Sequence, residues 1–183
     1  MKLNKVKLIS EICGIWVTVI GILSAGIFAL IEYENHKKSE LLKSTMTMYN
    51  KFNNEVYYTA RKKIALSENN SIDELNKLLN NSDKDTVAVS YMNFIHARVE
   101  KDVLSKELDD ILLILEDVAI CVRANVCDYD SAIAFFFDYG RDFFRTYYPY
   151  ICKERENWSN QSIGMMLEKF YNPSSKKNVC NIS

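Results

Sequence analysis

ILLILEDVAICVRANVCDYD, the stretch from Ile111 to Asp130, places apolar and charged residues at the spacing of a helix. Projected at about 100° per residue, its apolar residues form one stripe, and Leu113 with Ile120 form a second stripe on another side. A helix that is apolar on two sides is typical of the centre of a bundle. We therefore predict that Leu108 to Ala124 is the central helix of the domain.

The residues that follow predict how this helix ends. Asn125 suits the left-handed position after a helix C-terminus, because asparagine tolerates positive φ better than most residues. Asp128 is a suitable N-cap for the next helix. Cys127, one residue earlier, occupies a position that favours an apolar side chain facing Ala132. The sequence thus predicts a helix, a turn and a cap.

The charged residues of the central helix lie in narrow strips along its margins. Asp109, Glu116 and Arg123 follow one another at seven-residue steps, and Asp117 lies on another strip. Such groups more often pair with residues of neighbouring helices than act as catalysts. We predict that Arg61 docks on Glu116 or Asp117 as a packing contact, with a ligand contact as the alternative.

The composition favours an all-α fold. Neither glycine nor proline occurs between Gly26 and Gly140, and the prolines are Pro149 and Pro173. A β domain needs more turn residues than this. With 183 residues, the chain has room for one domain and an appendage. Its formal charge of −1 creates no field that would gather nucleic acid, so nucleic acid is not an expected partner.

An uncharged run near the N-terminus predicts a membrane anchor. The run is ICGIWVTVIGILSAGIFALI, twenty residues from Ile12 to Ile31. At about 1.5 Å per residue it is long enough for the roughly 30 Å hydrocarbon core. We predict one uncleaved transmembrane helix, a signal anchor in the lipid bilayer. A cleaved signal peptide and a buried core helix are the alternatives, but the run exceeds the usual ~7–15 residues of a signal peptide.

Cysteine usage bears on both chemistry and location. Cys121 and Cys127 are six residues apart, which is roughly 120° around a helix, so they cannot bind one ion from one helix. With His36 and His96 as the only histidines, we expect no metal site and no cofactor. The odd number of cysteines indicates free thiols in a reducing compartment, those of this pair acting as buried small hydrophobes. The five are Cys13, Cys121, Cys127, Cys152 and Cys180.

The orientation of the anchor follows from the thiols, since lysines on both sides of the apolar run nearly balance. We predict a single-pass protein of the inner (plasma) membrane with a cytoplasmic C-terminal domain. Five N-x-S triplets keep a lumenal type II membrane glycoprotein open as the alternative. They begin at Asn69, Asn80, Asn157, Asn160 and Asn181.

The remaining signals divide the chain into five parts. We expect a short flank (1–11), the transmembrane helix (12–31), a juxtamembrane helical stalk (32–50), a helical bundle (51–172) and a disordered tail (173–183).

Within the bundle, Asn53 or Asn54 is the expected N-cap of its first helix. Ser71 opens a capping box for a further short helix. An aromatic helix pair broken near Gly140 and kinked at Pro149 completes the prediction.

Three stretches of the bundle share sequence patterns with a known family. YNKFNNEVYYTARKKI is similar to a Phe-x-Ser-x-Glu then Ala-Arg pattern, with matches at Phe52, Glu55, Ala60 and Arg61. ILLILEDVAICVRANVCDYD matches a second pattern at Leu112, Glu116, Asp117, Asn125, Asp128 and Asp130. FFRTYYPYICKER matches a third at Pro149, Tyr150, Ile151 and Arg155.

Through these stretches, residues 48–158 resemble bacterial single-pass membrane-anchored helical proteins that are catalogued as a domain of unknown function. The chain departs from the family pattern at Leu113, where asparagine is usual, at Asn125, where glycine is usual, and at Phe144, where tryptophan is usual. The resemblance implies a helical domain anchored in a bacterial inner membrane. It implies no reaction.

The motifs that enzymes need are missing from the sequence. It has no G-x-x-x-x-G-K, no G-x-S-x-G and one histidine beyond the juxtamembrane part. We therefore predict a non-enzymatic, membrane-tethered interaction or sensing module that binds a protein partner or itself. The alternatives are a small-molecule receptor that binds between the helices, against Arg61, Glu116 and the aromatic residues, and a membrane-disrupting effector.

Overall fold

A computed structural model describes the backbone of residues 2–81, 83, 86–171 and 180, and the side chains of these residues from 19 onward together with Trp16. Every element in these ranges is an α-helix, which confirms the all-α prediction. The helices are α1 (Lys2–Phe52), α2 (Glu55–Asn81), α3 (Val87–Lys101), α4 (Ser105–Arg123), α5 (Tyr129–Asn157) and α6 (Met165–Tyr171).

The chain divides into two compact units, Met1–Leu41 and Leu42–Ser183. The first unit is helical, and its described large apolar side chains, such as Leu23 and Phe28, are exposed. Among the residues that could be searched, no helix is long and apolar enough to cross a membrane. Within the predicted span Ile12–Ile31, the side chains of residues 12–15, 17 and 18 lie outside the described ones. The transmembrane helix stays a prediction.

Helix α4 is the central helix of the second unit, as predicted. It contacts α2, α5 and α6, and its inward stripe is almost inaccessible to solvent. Burying one leucine or isoleucine side chain contributes about 1.5–3 kcal/mol, so this stripe supplies much of the stability of the bundle. The stripe includes Leu108, Ile111, Ile114, Leu115 and Val118.

The second apolar stripe of α4 faces solvent, contrary to the prediction. Leu113 is 61% exposed and Ile120 is 48% exposed. Periodicity places these residues on one face of the helix, but it cannot say whether another helix covers that face. Among the described residues of the second unit, no helix covers it.

The turn after α4 has the predicted caps. Asn125 has φ of 54°, its N–H bonds to the carbonyl of Val122, and the next N–H bonds to the carbonyl of Cys121. This pattern is a Schellman motif. Asp128 caps α5 by accepting a hydrogen bond of 2.9 Å from the N–H of Ser131. The N–H of Asp128 itself bonds to the hydroxyl of Thr45 in α1.

Helix α2 confirms one predicted cap and contradicts another. Asn54 accepts a hydrogen bond from the N–H of Tyr57, as the N-cap of α2. The helix then runs without a break through Ser71, so the predicted capping box and new helix are wrong. The hydroxyl of Ser71 bonds instead to the carbonyl of Ser67 one turn earlier, an arrangement that keeps serine inside a helix.

Helix α5 is continuous through Gly140 and Pro149, so the predicted break is wrong. Gly140 has a packing role: a Cβ there would collide with the hydroxyl of Tyr171, which α6 brings against α5. That hydroxyl donates a hydrogen bond to the carbonyl of Phe136. The aromatic residues of α5, among them Phe143 and Tyr147, are buried as expected for a core.

The cysteines contradict the expectation of free thiols. Cys121 and Cys127 form a disulfide, and Cys152 forms a second one with Cys180. The left-handed residue Asn125 explains the first bond, because it turns the chain back and leaves the two Cα atoms 5.2 Å apart. The predicted tail, 173–183, lies outside the described residues apart from Cys180. The side chain of Cys13 lies outside them as well.

Candidate functional site

Arg61 does not dock on Glu116 or Asp117. Its guanidinium donates to the carbonyl of Phe52 and to the side chain of Asn53, and it lies 4.0 Å from the ring centre of Phe52. The sequence pattern correctly predicted that Arg61 lies beside the core, but it could not identify the groups to which Arg61 bonds. The guanidinium closes the α1–α2 corner instead.

The acidic residues of α4 serve other contacts. Glu116 accepts hydrogen bonds from the N–H groups of Gly164 and Met166, and so fixes the start of α6. Asp117 pairs with Lys51 at 3.2 Å on the surface. Arg123 approaches the sulfur of Met166. Glu116 and Arg123 are therefore packing contacts to the α6 region, and they do not meet Arg61.

One buried ion pair escaped the sequence prediction. Arg155 donates to Glu168 at 2.9 Å, and their side chains are 3% and 10% exposed. The Nε of Arg155 also donates to the carbonyl of Ile163 at 2.7 Å. Arg155 lies about one helical turn after Cys152 on α5. The Arg155–Glu168 ion pair and the Cys152–Cys180 disulfide therefore both hold the C-terminal part of the chain to α5. The pair is structural.

A cleft lies between α2 and α3. Its volume is about 570 Å³, within the range of small-molecule sites. Most of the residues that line it carry hydroxyl, amide or charged side chains, and their apolar atoms contribute to the wall surface as well. They come from Ser67, Asn70, Ser71, Glu74 and Leu78 of α2, and from Ser90, Asn93, Phe94, Ala97, Arg98, Lys101 and Asp102 of α3 and its C-cap.

Arg98 is the buried charged residue of this cleft. It is 6% exposed, and its Nη2 donates to the hydroxyl of Tyr147 at 2.5 Å. That hydroxyl donates in turn to Glu68 at 3.0 Å. The Nε of Arg98 is buried without a hydrogen-bond partner among the described residues. A buried donor without an acceptor costs free energy, so the cluster is incompletely satisfied.

The sequence contained a signal for Arg98. It stands at an apolar position of the α3 pattern, in register with Tyr91, Phe94 and Ile95. A charge at such a position needs a buried partner, and the sequence could not identify Tyr147 on α5 as that partner.

Burial controls the protonation of the tyrosine in this cluster. Desolvation raises the pKa of Tyr147 far above its ordinary value, and the neighbouring carboxylate of Glu68 raises it further. Arg98 acts in the opposite direction. Tyr147 therefore stays neutral at physiological pH and can accept from Arg98 and donate to Glu68 at the same time.

One end of the cleft is closed by a hydrogen bond between its two walls. The hydroxyl of Ser67 on α2 donates to the carboxylate of Asp102 at the end of α3. Asp102 therefore already has a partner. Lys101 and Glu74 are exposed on opposite walls and can reach a bound molecule.

A smaller cleft of about 190 Å³ lies between α2 and α5. Arg61 and the aromatic residues Tyr139, Phe143 and Tyr147 line it, together with the carboxylates of Glu68 and Asp142. The predicted receptor site combined Arg61, Glu116 and aromatic residues. The structure brings Arg61 and the aromatic residues together, but Glu116 faces α6.

Groups of three or more His, Cys, Asp or Glu side chains that could hold a metal ion are not found in the searched part of the chain. Comparison with family models, with curated proteins and with solved structures gave no match. The resemblance over residues 48–158 therefore stays a prediction, and function has to be argued from the clefts and contacts above.

Proposed function

We propose that this protein is a non-enzymatic, membrane-tethered sensing module whose helical bundle binds a small polar molecule in the cleft between α2 and α3. The observation that carries the proposal is the cleft itself. It combines a volume of about 570 Å³ with a lining of both polar and apolar surface and a buried, incompletely satisfied arginine, Arg98. Cavities of this size with a few convergent polar groups are the usual places for ligands in folded domains.

The membrane anchor is part of this proposal. The twenty uncharged residues Ile12–Ile31 have the length of a membrane span. Several large apolar side chains in its described part, among them Ile20, Ile27 and Leu30, are more than half exposed. Apolar surface of this kind is stable when lipid or a protein partner covers it.

The two disulfides support an orientation opposite to the one first expected. Free thiols were the reason for placing the bundle in the cytoplasm, and four of the five cysteines are paired. Disulfides persist in oxidising compartments and are rare in the cytosol. We therefore place the bundle on the outer side of the membrane in this proposal, with the lysine-containing N-terminal flank inside.

Labelling of intact cells tests the orientation. A membrane-impermeant reductant followed by a membrane-impermeant maleimide should modify Cys152 and Cys180 without lysis. The same maleimide without reductant should leave them unmodified. Modification that requires lysis would return the bundle to the cytoplasm.

A ligand screen tests the cleft. The full chain in mild detergent is heated with single compounds from several classes, and the thermal midpoint is recorded. A ligand at a hundredfold excess over its Kd stabilises the folded state by about 2.7 kcal/mol. An exposed substitution in the cleft, Glu74→Ala, should reduce the shift, whereas Lys77→Ala on the same helix should not. If no class of compound shifts the midpoint, the proposed function fails.

A protein-binding role has its own observation, the exposed apolar face of α4. Leu113 and Ile120 lie seven residues apart on that face, and both are about half exposed or more. Chemical crosslinking in membranes is the test, comparing wild type with a Leu113→Ser, Ile120→Ser double variant. A crosslinked product that the double variant loses would favour a partner or a second copy at this face.

A further inference from the structure

The α2–α3 cleft carries charges of both signs. We propose that its ligand is a small zwitterion, a molecule that has a carboxylate and an ammonium group a few ångströms apart, as free α-amino acids do. The inference rests on the proposed function, because it requires that this cleft is a ligand site. It adds the chemical class of the ligand and the residues that recognise each end.

The charge balance of the walls favours a zwitterion over an ion of one sign. Arg98 and Lys101 are positive, and Glu74 and Asp102 are negative, so the lining is formally neutral. A purely anionic ligand would dehydrate Glu74 without giving it a partner, and a purely cationic ligand would do the same to Lys101. Unpaired charges that lose water are costly. A zwitterion provides a partner for both.

The order of the charges along the cleft sets the distance that the ligand must span. Helices α2 and α3 are joined by a short connection and run antiparallel. The Ser67–Asp102 hydrogen bond fixes their register at the closed end. Arg98, one turn before Asp102, then lies near the level of Ser71, and Glu74 lies about 4.5 Å further along the cleft axis. The cationic end of the cleft and Glu74 are therefore close enough along the helices for one small molecule to contact both.

The residues at the closed end of the cleft favour the binding of a carboxylate. Arg98 and Lys101 outnumber Asp102 there, and Asp102 already accepts a hydrogen bond from Ser67, so this end of the lining has a net positive charge. Tyr147 accepts a hydrogen bond from the guanidinium of Arg98 and donates one to Glu68, which fixes the position of the arginine. A carboxylate at this end of the cleft interacts favourably with the positive charges of Arg98 and the exposed Lys101.

The rest of the cleft suits the other parts of such a molecule. Glu74 is exposed on the α2 wall, where it can accept hydrogen bonds from an ammonium group. Asn70 and Asn93 offer both donors and acceptors from opposite walls. Leu78 and Phe94 add apolar surface for a side chain.

The experiment compares matched probes on the full chain in detergent. Each of the twenty common L-amino acids is tested for a rise in the thermal midpoint, and the best one is measured by calorimetric titration. Its carboxamide lacks the carboxylate charge, and its N-acetyl form lacks the ammonium. We expect both derivatives to bind at least about tenfold more weakly, because each loses one charged hydrogen bond.

Substitutions at exposed residues of the cleft show which residue binds which end of the ligand, and they leave the buried core unchanged. Glu74→Gln should weaken the amino acid roughly tenfold but leave the affinity for the N-acetyl form unchanged, and Lys101→Gln should weaken the N-acetyl form as well. Lys77→Gln, on α2 outside the cleft, is the control and should change neither. This pattern supports the inference.

Other outcomes overturn it in distinguishable ways. If a neutral polyol or a simple monocarboxylate binds as well as the best amino acid, and Glu74→Gln has no effect, the cleft is a ligand site but the zwitterion inference is wrong. If no probe of any class binds, the proposed function and the inference are both wrong. If an amino acid binds but the cleft variants behave like Lys77→Gln, the site lies elsewhere and the inference is wrong.

Discussion

Replacing Arg155 by alanine tests the view that a buried ion pair secures the C-terminal part of the bundle. Arg155 and Glu168 are 3% and 10% exposed at their side chains, so neither charge is screened by water. The Arg155→Ala change leaves the carboxylate of Glu168 buried without its guanidinium and removes the hydrogen bond to the carbonyl of Ile163. Breaking a buried pair in this way costs about 3–5 kcal/mol.

The matched comparisons are arginine-to-alanine changes elsewhere. Arg145→Ala is an exposed change on the same helix and should cost less than about 0.5 kcal/mol. Arg61→Ala loses one partly buried hydrogen bond and the stacking on Phe52, together about 1–2.5 kcal/mol. The expected order of destabilisation is Arg155, then Arg61, then Arg145.

Thermal unfolding of the full chain in mild detergent, followed by circular dichroism, measures the effect. For a chain of this size about 1 kcal/mol shifts the midpoint by roughly 2–4 °C, so Arg155→Ala should lower it by roughly 6–20 °C. The double change Arg155→Met, Glu168→Leu should recover most of the loss, because it leaves no uncompensated charge. A midpoint for Arg155→Ala equal to that of Arg145→Ala would refute the reasoning, and a double variant as unstable as the single one would show that packing dominates.

Three further predictions concern the disulfides, the buried tyrosines and a glycine. The Cys152→Ser, Cys180→Ser double variant should be destabilised by about 3–4 kcal/mol in thermal unfolding, since it opens a long loop. A reductant should lower the midpoint of wild type but not that of a quadruple variant in which Cys121 and Cys127 are also replaced by serine. Burial raises the pKa of Tyr139, Tyr147, Tyr150 and Tyr171, so their contribution to stability is fully present below about pH 10 and is lost as pH rises through the raised values. Near-ultraviolet absorbance should show a group of tyrosines that ionises only together with the loss of helix, and complete tyrosine ionisation before any loss of helix would contradict this. Gly140→Ala should destabilise wild type by pushing Tyr171 off the carbonyl of Phe136, but in a Tyr171→Ala background the same change should be neutral or stabilising by up to about 1 kcal/mol in the same melt.

The sequence by itself determined the helical class of the fold and several of the helix ends. The absence of glycine and proline between Gly26 and Gly140 predicted the all-α class, and the structure confirms it. Asn54, Asn125 and Asp128 were predicted from short-range rules of capping and positive φ, and each has the predicted role. These features depend on residues within about one helical turn, so the local sequence contains the necessary information.

Local rules failed at two residues whose type often marks the end or the start of a helix. Ser71 resembles a cap, but α2 continues through it because the serine hydroxyl bonds to its own helix. Gly140 resembles a break, but its missing Cβ makes room for Tyr171 of α6. In both cases the residue type was read correctly and its use was decided by packing.

Only the tertiary structure decided which side chains meet. Arg61 was predicted to pair with Glu116 or Asp117 and instead closes the α1–α2 corner, while Arg155 pairs with Glu168. The Cys121–Cys127 bond and the cleft beside Arg98 likewise depend on how the chain turns and which helices become neighbours. A charge or a thiol specifies that it needs a partner, but the choice among several partners is made by the packing of the whole bundle, which no short stretch of sequence contains.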